Sequence, residues 1–137
     1  VGVRSLGLQV ARSAGITDVR ERSGVSLARS AGAIHAVAID DRDPLGWDLG
    51  ETGFQLNVGD PVFDPGSATS VVRYPDPPSF ASGVARPAAL AGTPALLSGV
   101  HGAGRVALFA SDPSFRGYSD GSLRLLANAL LAPPPAP

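Results

Sequence analysis

The apolar residues of this chain come in short runs, and their spacing changes from one run to the next. Val1–Val3 reads as the end of a buried strand, and Leu6–Ala14 as a short helix closed by Gly15. Ala33–Ile39, AIHAVAI, is an apolar run of strand length, ended by Asp40, Asp41, Asp43 and Pro44. Short extended pieces follow near Phe54–Val58 and Pro61–Phe63. Ser70–Tyr74 is a further strand, stopped by Pro75-Asp76-Pro77-Pro78. Ala95–Val100 and Arg105–Ala110 flank His101-Gly102-Ala103-Gly104, the pattern of a hairpin with a glycine-rich turn. Beyond Ser119-Asp120-Gly121-Ser122, the leucines at 123, 125, 126 and 130 repeat with the period of an amphipathic helix over Leu123–Leu131. Residues 18–31 are polar without a period and read as loop. The order is that of one α/β domain over residues 1–132, with a proline-rich tail at 133–137 that cannot continue a helix.

Composition narrows the function classes. At 137 residues and 44% hydrophobic content the chain can bury one core. A net charge of −1 gives no electrostatic reason to expect nucleic acid or an anionic membrane as partner. All 11 basic residues are arginine. There is no cysteine, hence no disulfide framework and no thiolate chemistry. No apolar run approaches the roughly 18 residues of a membrane span. The absence of an initiator methionine and of a signal-peptide pattern at Val1 reads as a mature or excised segment.

One short stretch carries a chemical resemblance. Ser5-Leu6-Gly7-Leu8-Gln9 resembles the C-x-G-x-Q part of the nucleophile turn of class I glutamine amidotransferases, with serine in place of the thiol. The late hairpin and closing helix also follow that family's order of parts. Aligning the proline of the family's F-x-H-P-E motif with Pro113 puts Asp112 at the histidine position and Ser114 at the glutamate position. The resemblance implies a flavodoxin-like, amidotransferase-like sheet of which this chain is the C-terminal part. It also implies a vestigial site: Ser5 at the strand–helix turn, with Asp112 and Ser114 near it at the C-terminal edge of the sheet. Amide hydrolysis by such a turn needs a nucleophile, a base and an orienting carboxylate. Ser5 without an adjacent base is a poor nucleophile, and a carboxylate such as that of Asp112 is a weak base for a hydroxyl. The expectation is therefore no catalytic residue here, and no cofactor or metal. The alternative is a small serine amidohydrolase or esterase using Ser5, which requires His35 or His101 as base. His35 lies within an apolar strand and His101 in a hairpin turn.

A second resemblance spans most of the chain. Ala91-Gly92-Thr93-Pro94, Gly104-Arg105-Val106 and Asp112-Pro113-Ser114-Phe115-Arg116-Gly117-Tyr118 resemble the C-terminal part of bacterial secreted zinc carboxypeptidases of the carboxypeptidase A-like family. Asp43-Pro44-Leu45-Gly46-Trp47 and Val72-Arg73-Tyr74-Pro75 share in it. Those proteins carry an amidotransferase-like domain after the catalytic one. The resemblance implies an extracellular location and an upstream metallopeptidase domain as partner. It also implies a non-catalytic accessory role in stability, positioning or contact with substrate or cell surface. Zinc belongs to that upstream domain, because His35 is followed three residues on by Ala38, and His101 by Gly104, so neither forms H-x-x-E. An amidotransferase-like domain normally has strand–helix units before its nucleophile turn. The sheet is therefore expected either to pair with another copy or to belong to a longer chain.

The remaining clusters read as structure first. Asp40, Asp41, Asp43 and Asp48 lack EF-hand spacing and read as a solvated strand-end loop, with calcium as the alternative. Gly99–Gly104 lacks the Gly-Lys-Ser/Thr ending of a phosphate loop and reads as a turn. Trp47, Tyr74, Phe80 and Tyr118 read as packing, with a sugar- or peptide-binding surface as the alternative. Arg116 beside Tyr118 is the pair placed to line the former pocket.

Overall fold

A mixed sheet of seven strands organises the chain, ordered β1 (Gly2–Val3), β9 (Gly104–Phe109), β8 (Pro94–His101), β6 (Thr69–Arg73), β3 (Gly32–Ile39) and β4 (Thr52–Asn57), with β7 (Phe80–Val84) pairing along the same side of β3 as β6. The structure, a computed structural model, describes residues 1–23, 32–85 and 87–133. Its strands are β1 (Gly2–Val3), β2 (Arg20–Glu21), β3 (Gly32–Ile39), β4 (Thr52–Asn57), β5 (Phe63–Asp64), β6 (Thr69–Arg73), β7 (Phe80–Val84), β8 (Pro94–His101) and β9 (Gly104–Phe109). The helices are α1 (Arg4–Ser13) and α2 (Asp120–Leu131). The β1–β9 pair is parallel and the other pairs of this sheet are antiparallel. The α/β reading holds at this level: the expected strands at the N-terminus, at 33–39 and at 105–110 share one sheet, and the 123–131 helix lies on one face.

Alternation along β3 decides which face is which. Ala33, His35, Val37 and Ile39 are buried, while Ile34, Ala36 and Ala38 are only partly covered. The inner face carries Val37, Ile39, Val72, Leu96 and Phe109, closed over by Leu125 of α2. Full burial of such a leucine is worth about 2 kcal/mol. Ser119 caps α2 by accepting from the N–H of Ser122, and Asn128 donates to the carbonyls of Leu45 and Trp47 at 3.1 and 2.9 Å. That polar clamp fixes the helix against the loop after β3. On the outer face α1 lies over β1 and β9, and its Leu8 and Ala11 join Val19, Phe63, Leu97, Leu108 and Ala110 in a second apolar cluster. Gly15, at φ 67°, closes α1 with N–H bonds from Gly15 and Ile16 back to Arg12 and Ala11, the left-handed stop expected there.

Two strands lie where the sequence pattern predicts none. Within the polar 18–31 stretch, Arg20 and Glu21 form β2 by pairing with β5, and Arg22 clamps Asp64 beside it. Residues 24–31 of that stretch, and 134–137 of the proline-rich tail, lie outside the described residues. The other unpredicted strand, β7, is exposed at every position, so no apolar alternation marks it.

Candidate functional site: the strand-to-helix elbow

The chain passes from β1 into α1 without a loop, and the turn is sharp enough to force an unusual backbone. Arg4, the first helical residue, has φ 55°, the left-handed region that non-glycine residues adopt at a cost of about 1–2 kcal/mol. Glycines permit the close approach on both sides. A Cβ on Gly7 would lie 2.7 Å from the backbone of Gly2, and one on Gly2 would lie 2.7 Å from Leu108. Gly2, Arg4 and Gly7 thus form a sharp strand-to-helix elbow in which the strained residue is an arginine.

The Arg4 side chain does not stand free. Its guanidinium lies 3.4 Å from a carboxylate oxygen of Asp60, in the turn after β4. Asp60 is 3% exposed and accepts the N–H of Val58 at 3.1 Å. Burial pushes its carboxyl above the ordinary range; the Val58 N–H and Arg4 pull it back only in part, and nearby Asp112 adds to the rise. Arg4, Asp60, Leu56, Val58, Ser111, Asp112 and Phe115 line a crevice of about 10 Å3, room for no more than a water molecule. Beneath it, Gln55 donates to the Ser111 hydroxyl at 2.6 Å, and Asn57 to the Tyr74 hydroxyl at 3.4 Å. Burial pushes the Tyr74 hydroxyl upward, so it remains a neutral phenol.

The expected residues fall on two sides of this turn. Ser5 directly follows the strained position, is exposed, and lines a separate depression of about 470 Å3 with Leu8, Gln9, Arg12, Ser13 and Glu21. Asp112 belongs to the Arg4–Asp60 crevice. Its carboxylate accepts both the N–H and the hydroxyl of Ser114, at 2.9 and 2.7 Å, which ties these two residues into one local turn. Ser114 itself is exposed. Phe115 lines the crevice, while Arg116 stacks over the Phe115 ring at 5.4 Å and Tyr118 is 60% exposed.

The two histidines sit elsewhere. His35 is fully buried in β3, edge-on to Tyr74 at 5.5 Å and near Phe80 at 6.1 Å, and neither ring nitrogen is hydrogen-bonded among the described residues. Burial lowers its pKa, so the imidazole is neutral. Between two aromatic rings, it does not fit a zinc-ligand role. His101 ends β8 at the hairpin. The acidic cluster after β3 is spread over separate partners: Asp40 on Arg42 at 2.8 Å, Asp43 on the Leu45 N–H at 2.8 Å, Asp48 on Arg124 at 3.0 Å.

Sequence reasoning missed Arg4, Asp60, Gln55 and Ser111. Left-handed backbone is signalled in sequence by glycine, asparagine or aspartate, and an arginine there carries no such signal. What the elbow can do chemically follows from its occupant: a guanidinium is always protonated, donates only, and cannot attack a carbonyl. Compared with protein-family models, with curated proteins and with solved structures, the chain matches none.

Proposed function

We propose that the chain is a degenerate glutamine amidotransferase-like domain of flavodoxin-like ancestry. In this reading it serves as a non-catalytic accessory domain of a secreted zinc metallocarboxypeptidase, for stability, positioning or contact with substrate or cell surface. One observation carries the non-catalytic part: the strained elbow residue is Arg4, tied to buried Asp60. Parallel entry of β1 beside β9 and its immediate passage into α1 supports the ancestry, being the strand–turn–helix unit that such nucleophiles occupy. The peptidase parent rests on the sequence resemblance, and its zinc would be held by that parent's own domain.

The chain is tested with glutamine, simple amides and nitrophenyl esters. The expected result is turnover no faster than buffer. Hydrolysis that disappears in Ser5→Ala would replace this reading with the serine hydrolase. The parent is tested separately: a coding sequence upstream without an H-x-x-E zinc pattern would remove the peptidase from the proposal and leave the inert elbow.

A further inference from the structure

Trp47 is the only tryptophan of the chain, and the fold holds it outward. Its ring is 64% exposed, yet the backbone around it is fixed. Leu45 is fully buried, and Gly46 lies so close to the carbonyl of Asp40 that a Cβ there would collide with it. The buried Asn128 amide holds the Trp47 carbonyl onto α2. The indole is therefore a fixed platform facing solvent.

That ring forms one wall of a pocket of about 560 Å3, within the usual range of small-ligand sites. Pro44, Leu131 and Pro133 line its apolar part, and Leu131 is 82% exposed, so this part is uncovered. Arg42 and Arg124 line its polar part, with the Arg124 guanidinium 5.9 Å from the indole ring. Among the described residues no carboxylate lines the pocket. A guanidinium carries five N–H donors. Arg124 uses one on Asp48 at 3.0 Å, and Arg42 uses two on Asp40 at 2.8 and 3.3 Å, so both keep donors for an anion. Ion pairs as exposed as these two are weak and exchange readily for another carboxylate.

The end of α2 sets the direction of binding. Its last carbonyls, around Leu131, carry the negative end of the helix dipole and disfavour an anion. Arg124 lies about 10 Å back along the same helix. The pocket thus has an apolar end that repels negative charge and a cationic end that collects it.

We propose that this pocket binds a small aromatic carboxylate, its ring stacked on Trp47 and its carboxylate held by Arg124 and Arg42. A ring against Leu131 and a carboxylate on a short chain together span the two ends. A neutral aromatic would give the guanidiniums no new partner, an ammonium would be repelled by them, and an aliphatic anion would leave the indole uncovered. The pocket shares no residue with the Arg4–Asp60 crevice and does not depend on the ancestry proposed above.

Because Trp47 is the only tryptophan, its fluorescence reports this pocket alone. The full chain is titrated at neutral pH with hydrocinnamate, which is transparent where tryptophan is selectively excited. A saturable change in emission is expected, with half-saturation at about 1 mM for a ligand of this size. Hydrocinnamyl alcohol should bind about tenfold more weakly, for want of the charged hydrogen bonds, and phenylpropylamine more weakly still. Arg42→Glu should weaken hydrocinnamate about tenfold and strengthen the amine, and Leu131→Asp should weaken hydrocinnamate about tenfold. Both positions are exposed, so circular dichroism should be unchanged in both variants. Unchanged Trp47 emission in the wild type, alcohol or amine bound as tightly as hydrocinnamate, or full affinity in either variant overturns the proposal.

Discussion

Replacing Arg4 by glycine and by alanine gives two variants whose order of stability depends on the elbow. In an ordinary helix interior alanine is the more stable by about 1 kcal/mol. At φ 55° the order reverses. Alanine carries the left-handed cost of about 1–2 kcal/mol, which glycine escapes, while glycine's looser unfolded chain returns about 0.5–1 kcal/mol. Glycine should therefore exceed alanine by about 0.5–1 kcal/mol. Both variants also lose the ion pair to Asp60. Breaking a fully buried pair costs about 3–5 kcal/mol, but Arg4 is 43% exposed and Asp60, its pKa already raised, can take up a proton. A common loss of about 1–2 kcal/mol is expected. Urea unfolding followed by circular dichroism at neutral pH resolves both effects. With a slope of about 2 kcal/mol per molar, the glycine variant should unfold about 0.3–0.5 M later than the alanine variant, and both before the wild type. Alanine at or above glycine would show that Arg4 is an ordinary first-turn residue, and the elbow assignment would fall.

Two further outcomes follow from the same geometry. Gly7→Ala gains helix propensity but drives a Cβ to 2.7 Å from the Gly2 backbone, so a net loss of about 1–2 kcal/mol and a melting temperature lower by about 5 °C are expected; an unchanged melting temperature would contradict the close packing. His35 is held neutral by burial, with its folded pKa below 6.5, so below that pH the unfolded chain binds a proton that the native chain does not. Stability should fall as the pH drops from about 7.5 to about 5, and the fall should be smaller in His35→Phe; urea midpoints at the two pH values check this, and equal falls would refute it.

Much of the scaffold was legible because its signals are local. The β3 run, the β8–β9 hairpin around Gly102–Ala103, the Gly15 stop and the leucine period of α2 each declare themselves in a few residues. The features that sequence reading missed depend on distant partners. β2 exists because Arg20 and Glu21 meet β5 more than forty residues later. β7, Phe-Ala-Ser-Gly-Val, is held by main-chain pairing to β3 with every side chain exposed, so it has no buried period to read. Asp60 looks like one of many turn aspartates until the fold brings Arg4 to it. The motif match pointed at Ser5, one residue past the strained position, because a sequence pattern records residue types and not φ. Asp112 and Ser114 were legible as a pair, and the structure joins them to each other by hydrogen bonds.

The parallel pairing of β1 has a kinetic consequence. Gly2 and Val3 find their partners in Leu108 and Phe109, about a hundred residues further along the chain. The closing of such a loop is slow, since its entropy must be lost before any contact rewards it. β3–β4 and β8–β9 can form from near neighbours, but β1 must wait for β9. Arg4 is forced left-handed only once β1 is docked, so the elbow belongs to the last step of assembly. By the same ordering, hydrogen exchange in β1 and the first turn of α1 should report the earliest subglobal opening of the native sheet. The ion pair between Arg4 and Asp60 then acts as a latch on the first strand, fastened last and released first.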